Sequence, residues 1–366
     1  MTRTAWTTTR NMLGRSILCL AAGAHASASR GVDDTAATAL VPSMETPLSL
    51  WLRHHNVRLD NLATRKPVSK AARDSARLAS PPMLDAMRAN ATRTRSCHVS
   101  DVAAATMLGA ARVHGDSPHA ARQSEVIICR PARLAYIHVY KAAGTTIFAS
   151  MHDLCQSEFG QPAETLCPRS YGDYCEDLSV HDEWHLVSNY TWFTFVRDSV
   201  DRFESSVFEL AKRFEDPAEQ KGQCVVRGPK DDSAIRPANR RGDQLALDIL
   251  HECLLEQSPV DVAQHMKPQA SFLLEPDDVT FTPLLAYLGR VEQLAEGWSA
   301  IVTEVFGARA GAEVRAALMS DSMHARDRTS DDYGNVDPRF NLNVTSAHAR
   351  FEIERAYNVD RLCLGV

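Results

Sequence analysis

The sequence predicts an α/β domain in which a central parallel sheet is flanked by helices. From residue 125 onward, apolar runs of strand length alternate with helical segments and turn residues. This alternation is typical of strands that are joined by helical crossovers. In addition, an order of buried strand, tight loop and helix occurs twice in this part of the chain.

The first of these units predicts a buried strand over residues 134–139 and a helix over 145–154, with a threonine at its start. The second predicts a strand over 192–196 and a helix over 200–214. A further strand is predicted at 286–291. Further helices are predicted at 244–256, 260–264, 293–306 and 346–357. No internal repeat of fixed period is evident.

The chain changes character near residue 125. Residues 1–135 carry 18 Lys and Arg against 9 Asp and Glu, whereas the remainder carries 22 against 37. The first part is rich in Ala, Arg, Ser and Thr and shows only patchy helical periodicity. We therefore predict a stem-like, weakly helical region over 29–125 and a folded domain over 126–366, long enough for a full core.

Residues 1–28 have the order of a signal peptide: arginines, a short apolar run at 17–24, and small residues. A short signal anchor is an alternative that leaves membrane attachment open. However, Arg15 and His25 interrupt the roughly 20 apolar residues that a spanning helix needs. An organellar transit peptide is a second alternative, because acidic residues are absent before Asp33.

The cysteines favour the secretory pathway. Eight follow Cys19, and none forms a C-x-x-C pair of the kind used by zinc or redox sites, so disulfides are expected. Three N-x-S/T sequons give weaker support for a glycoprotein, at Asn90, Asn189 and Asn343. The eight cysteines are Cys97, Cys129, Cys155, Cys167, Cys175, Cys224, Cys253 and Cys363.

The loop of the first unit, residues 138–146, reads His-Val-Tyr-Lys-Ala-Ala-Gly-Thr-Thr. Backbone N–H groups and the positive end of a helix there predict a phosphate or sulfate site. Lys141 adds a positive charge, Gly144 lets an anion approach, and Thr145 and Thr146 add hydroxyl donors. An ordinary turn with a surface lysine is the alternative. A kinase loop of the GxxxxGK[ST] type is disfavoured, because its lysine follows the second glycine.

The turn of the second unit supplies another cation and another hydroxyl. Arg197 leaves the end of the strand and Ser205 follows one to two helical turns later, so both can converge on one phosphate. The alternative is a structural ion pair between Arg197 and Asp198 or Asp201.

The two motifs in this order resemble the Golgi carbohydrate sulfotransferases of the heparan sulfate and chondroitin type. Their 5′-phosphosulfate loop commonly reads like IHVPKTGGTS, and their 3′-phosphate motif like FTFVRDPxERxxSxY. Three later segments extend the resemblance to about residues 126–366. These are 265–273, similar to H-x-x-PQ-x-x-(F/L)L; 287–298, similar to YIGRxExLxxDW; and 354–360, similar to a closing Y-x-x-D.

This resemblance implies a three-layer P-loop NTPase-like domain that works in the Golgi lumen or membrane. It implies transfer of the sulfuryl group of PAPS (3′-phosphoadenylyl sulfate) to a carbohydrate hydroxyl, without a metal. Lys141 would stabilise the leaving phosphate. The cofactor-binding residues that it implies are Lys141, Ala142, Ala143, Gly144, Thr145 and Thr146 on the 5′ side, with Arg197 and Ser205 at the 3′ phosphate.

Three positions depart from the family pattern. Tyr140 replaces the proline before the lysine, Ala143 replaces the first of two glycines, and Ser199 replaces the proline after Arg-Asp. Ala143 is small enough for a tight loop, whereas the sequence gives no reason for Tyr140.

The general base is assigned by a weaker resemblance. His181-Asp182-Glu183-Trp184 is similar to an H-x-D-W stretch of heparan 6-O-sulfotransferases, which nominates His181, with Glu183 and His185 in reserve. The alternative is that His181 is a solvated loop histidine.

The acceptor is expected to be a carbohydrate, including an anionic polysaccharide. The lysine and arginine side chains at residues 215–243, which lie among Gly and Pro residues, could contact such an acceptor. The alternative is a solvated loop whose charges are offset by neighbouring acids. Nucleic acid is disfavoured because no aromatic residues interleave these charges. A noncatalytic glycan-binding relative and a kinase that needs ATP and magnesium are the competing functions.

Overall fold

The computed structural model describes residues 68–97, 125–166, 187–213, 242–255, 265–273, 285–319 and 342–366, all within one compact unit. The strands are β1 (Val126–Cys129), β2 (Leu134–Ile137), β3 (Glu164–Leu166), β4 (Thr191–Val196) and β5 (Leu285–Arg290). The helices are α1 (Lys70–Arg95), α2 (Gly144–Phe159), α3 (Ser199–Arg213), α4 (Asp243–Leu250), α5 (Leu294–Phe306), α6 (Ala308–Met319), α7 (Ala347–Ala356) and α8 (Asn358–Leu364). A π-helical turn at His251–Leu255 continues α4, and 3₁₀ turns lie at Gln269–Phe272 and Val291–Gln293.

The five strands form one mixed sheet in the order β3-β1-β2-β4-β5. β2, β4 and β5 are parallel, which confirms the predicted parallel arrangement at the centre of the sheet. β1, in contrast, is antiparallel to both β2 and β3. The short connection at residues 130–133 accounts for the antiparallel pairing of β1 with β2, because a parallel pair needs a crossover of about a dozen residues or more.

Helices cover both faces of the sheet. Alternate residues of each strand point to opposite faces, so each strand contributes side chains to two apolar clusters. On β1, Ile127 and Cys129 belong to one apolar cluster, and Val126 and Ile128 belong to the other. The first cluster includes side chains of α1, α2, α5 and α6, and the second includes side chains of α8 and the turn at Gln269–Phe272. A third cluster joins α3, α4 and α7.

Helix α1 belongs to the core of this domain, although the sequence interpretation assigned its residues to the stem. Leu84 and Met87 are buried in the first apolar cluster. Arg88 donates a hydrogen bond of 2.9 Å to the Tyr287 hydroxyl on β5. A disulfide joins Cys97 to Cys363. The packed core therefore includes residues that precede the predicted domain boundary at residue 126.

Most of the other predicted elements agree with the structure to within a few residues. The strand predicted at 134–139 ends earlier, at Ile137, where the chain turns into the loop. Strands β1 and β3 and helices α6 and α8 were not predicted, and the helix predicted at 260–264 lies outside the described residues. Within the described part of the chain, no helix is long and apolar enough to cross a membrane.

Candidate functional site

The two predicted anion-binding motifs lie side by side at one edge of the sheet. They follow β2 and β4, which are parallel neighbours with Tyr136 opposite Phe193. Two side-chain hydrogen bonds join the motifs: the Thr194 hydroxyl donates to the Ile137 carbonyl at 2.8 Å, and Arg202 Nε donates to the Tyr140 carbonyl at 3.0 Å. The fold therefore brings the lysine loop and the arginine turn together.

The loop that leads into α2 has a strained backbone. Lys141 and Ala143 have φ values of 64° and 63°, in the left-handed region that costs L-residues energy. Because the Ile147 N–H donates to the Ala143 carbonyl at 3.0 Å, the N–H groups of residues 144–146 precede the first hydrogen bond within the helix. Such N–H groups, with the positive end of the helix, can bind an anion.

Ala142 contributes differently from its loop neighbours. Its N–H donates to the Val139 carbonyl at 3.2 Å, and its carbonyl accepts from the Tyr136 hydroxyl at 3.4 Å. Its methyl group is fully buried. The polar groups of Ala142 thus hold the loop in shape.

Gly144 is required by the histidine beneath the loop. A Cβ atom at this position would lie 2.0 Å from His138 Nε2 and 2.1 Å from its Cδ2. The ring of His138 is buried, and its Nδ1 lies 2.7 Å from Glu125 Oε2. Even an alanine at position 144 would therefore force the imidazole or the loop to move.

The contacts of Tyr140 explain why a tyrosine stands where the family pattern has a proline. The Tyr140 hydroxyl donates to Glu125 Oε1 at 3.2 Å, so the carboxylate that binds His138 also binds the tyrosine. The Tyr140 ring contacts the rings of His265 and Phe272, with centroids 4.9 Å and 5.6 Å away. Tyr140 thus fixes the loop by side-chain contacts where relatives are expected to have a proline.

Lys141, the predicted catalytic lysine, forms an ion pair with a residue that the sequence interpretation did not select. Its Nζ lies 3.0 Å from Glu209 Oε2. The two side chains are only 16% and 6% exposed, respectively. Glu209 lies four residues after Ser205 on α3, and this helical spacing was the signal that could have identified it.

The backbone of Arg197 is held on both sides by one amide side chain. The Arg197 N–H donates to Gln269 Oε1 at 2.9 Å, and Gln269 Nε2 donates to the Arg197 carbonyl at 2.8 Å. Gln269 is itself fixed, because its own N–H and that of Ala270 donate to the Asp360 carboxylate at 2.9 and 2.8 Å. The later segments that resemble the family thus position the arginine.

Arg202 and Ser199 bring buried polar atoms to this site. Burial lowers the pKa of Arg202, although nearby Tyr357 and Asp360 oppose the shift. Burial raises the pKa of Asp360, and Arg202 opposes that shift. Within the described residues, Arg202 Nη2 and Ser199 Oγ have no hydrogen-bond partner. A buried donor without a partner is costly, and the Arg202 guanidinium also lies over the Tyr357 ring, 5.8 Å from the ring centroid.

The start of α3 is capped beside Arg197. Asp198 Oδ1 accepts from the N–H groups of Val200 and Asp201 at 2.9 and 3.1 Å, so this carboxylate caps the start of α3. Ser205 is partly exposed one helical turn beyond Asp201. Its neighbour Ser206 instead donates to the His265 carbonyl at 2.6 Å.

Not every predicted site residue can be located. The nominated base His181 and its reserves Glu183 and His185 lie outside the described residues, as do almost all residues of the basic segment 215–243. Across the described ranges, no group of three or more His, Cys, Asp or Glu side chains is arranged to hold a metal ion.

Comparison with protein families gives one match. The model of the sulfotransferase family covers residues 124–360, which include both loops and all the residues that position them. Comparisons with curated proteins and with solved structures gave no significant match.

Proposed function

This chain belongs to the sulfotransferase family, and from that premise we propose that it transfers the sulfuryl group of PAPS to a hydroxyl of a carbohydrate. The observation that supports this proposal most strongly is the pairing of the Lys141 loop with the Arg197 turn at the adjacent ends of β2 and β4. We further propose that the domain is P-loop-like, since an anion-binding loop leads from a central strand into a helix.

The residues present fit PAPS. The N–H groups of residues 144–146 precede the first hydrogen bond within α2, at the positive end of that helix, and Ser199 Oγ is a buried hydroxyl with no hydrogen-bond partner within the described residues. The 5′ side would be held by the loop from Lys141 to Thr146, and the 3′ phosphate by Arg197 and Ser205. PAPS supplies a sulfuryl group that is activated by its bond to a phosphate leaving group.

The protein's own residues would then do three things. Lys141 places an ammonium group where negative charge develops on the leaving phosphate, which is a large source of rate enhancement. Gln269 fixes the backbone of Arg197, which lowers the cost of ordering this residue at the transition state. His181 is proposed to take the proton from the attacking hydroxyl.

The proposed location is the secretory pathway, with the Golgi lumen or membrane as the specific compartment. All five described cysteines are in disulfides, which persist in oxidising compartments. Asn189 and Asn343 are exposed, as glycosylation requires, whereas the Asn90 amide is engaged by Leu288 and Arg93. A signal peptide or short anchor at residues 1–28 is part of this proposal.

Sulfate transfer from labelled PAPS to a panel of neutral and anionic glycans tests the proposal. Lys141→Ala and Arg197→Ala should each lower transfer by at least about tenfold, or about 1.4 kcal/mol of transition-state stabilisation. Arg77→Ala, which removes an exposed cation from α1, should have no effect. Unchanged transfer by both site variants would contradict the assignment. Binding of PAP, the desulfated product, without transfer to any glycan would instead indicate a noncatalytic glycan-binding relative.

A further inference from the structure

The ion pair between Lys141 and Glu209 places a buried negative charge inside a site that is expected to bind an anion. The two charged atoms are 3.0 Å apart and both side chains are largely removed from water. A charge in such a place requires compensation, and Lys141 provides it. The lysine expected to contact the donor is therefore already bound to a carboxylate of the same chain.

Glu209 lies on the face of α3 that borders the site. Arg202, Ser205 and Glu209 are spaced i, i+3 and i+7, so they follow one another along one side of the helix. Arg202 contacts the Tyr140 carbonyl immediately before Lys141, and Ser205 is a proposed contact of the 3′ phosphate. The Glu209 carboxylate consequently lies next to groups that are expected to bind phosphate.

We propose that Glu209 is an internal counter-anion, which binds Lys141 in the ligand-free site and gives it up to the phosphosulfate group of the donor. This inference rests on the proposed function and adds a regulatory residue to the same site. Glu209 is a positioning residue, because it acts through Lys141. No covalent bond changes in this exchange: one ion pair replaces another.

The exchange would make binding selective. A small anion that contacts only Lys141 must displace a carboxylate that is already in place, and it gains little from doing so. A ligand that also binds Arg197 and Ser205 recovers the cost through those additional contacts. Glu209 therefore favours a 3′,5′-substituted nucleotide over isolated phosphate or sulfate ions.

Calorimetric titration of PAP into the full chain and into Glu209→Gln tests this inference. The variant removes a like charge from the site and releases Lys141, so it should bind PAP at least about tenfold more tightly than the unmodified protein. If Glu209 only supported the fold, Glu209→Gln would weaken the binding of PAP. Equal or weaker affinity in Glu209→Gln would overturn the inference.

A double-variant cycle shows whether the effect passes through Lys141. In a Lys141→Ala background, the gain in PAP affinity from Glu209→Gln should be smaller than in the unmodified protein, because the cation being competed for is absent and only the like-charge repulsion is relieved. The same large gain in both backgrounds would overturn the exchange. Inorganic phosphate is the comparison ligand, and it should gain at least as much from Glu209→Gln as PAP does.

A crystal structure of the unmodified protein with PAP provides a test that needs no folded variant. Lys141 Nζ should contact the 5′ phosphate and should no longer lie within hydrogen-bond distance of Glu209. An unbroken Lys141–Glu209 pair in that complex would refute the inference. Absence of PAP binding by the unmodified protein would refute the proposed function itself, so the two failures are distinguishable.

Discussion

Gly144→Ala tests the arrangement beneath the lysine loop. The added Cβ would lie 2.0 Å from His138 Nε2, where ordinary contacts exceed about 3.4 Å, so something must move. The His138 ring is held by its 2.7 Å contact with Glu125 and by the Tyr140 ring, whose centroid is 4.7 Å away. The imidazole therefore cannot rotate away without losing a buried hydrogen bond.

The expected cost follows from these two effects. If the ring moves, loss of its hydrogen bond to the Glu125 carboxyl group costs about 1.5–3 kcal/mol; if the ring stays in place, overpacking costs about 1–3 kcal/mol. We therefore expect Gly144→Ala to lower the free energy of unfolding by about 3 kcal/mol. For a domain of this size, that corresponds to a fall in Tm of roughly 6–12 °C.

Thermal unfolding of the full chain, followed by circular dichroism, measures this loss. In a His138→Ala background the same glycine substitution should cost less than about 0.5 kcal/mol, because the clashing ring is gone. Gly160→Ala is the control: among the described residues, no atom beyond the adjoining chain lies within 4 Å of its added Cβ, and its φ of +70° gives a strain that is independent of His138. An equal cost of Gly144→Ala with and without His138 would refute the reasoning.

Three other substitutions test the remaining parts of the site and fold. Ala143→Gly should raise the free energy of unfolding by about 1 kcal/mol by relieving the left-handed backbone at φ 63°; an unchanged or lower Tm would contradict this. Gln269→Ala removes both hydrogen bonds to the Arg197 backbone, so calorimetry should show about tenfold weaker PAP binding with an unchanged far-ultraviolet spectrum. Cys97→Ser removes the disulfide to Cys363 and should lower the free energy of unfolding by about 2–5 kcal/mol, measured as a lower midpoint of urea unfolding. An unchanged midpoint would show that this bond does not stabilise the fold.

The centre of the sheet could be predicted from sequence because its strands are continuous apolar runs followed directly by helices. β4 is an example, since five of its six residues are buried. Helix α1 could not be predicted in the same way. Pro81 and Pro82 interrupt its pattern, and its partners, including Tyr287 and Cys363, lie far away in the sequence.

The charged groups of the site were predictable, whereas the contacts that hold them were not. Lys141 and Arg197 lie in recognisable motifs between a strand and a helix. Glu209 is 68 residues from Lys141 and meets it only because α3 packs against the loop. Glu125 likewise meets Tyr140 only through the pairing of β1 with β2, which the sequence did not reveal.

The central claim is that this chain has a site for the 3′-phosphorylated sulfate donor, and calorimetric binding of PAP to the full chain tests it most directly. The account predicts binding that is lost in Arg197→Ala, kept in Arg77→Ala, and not reproduced by ATP with magnesium. A folded protein that binds no PAP, or that binds it equally well without Arg197, would contradict the claim.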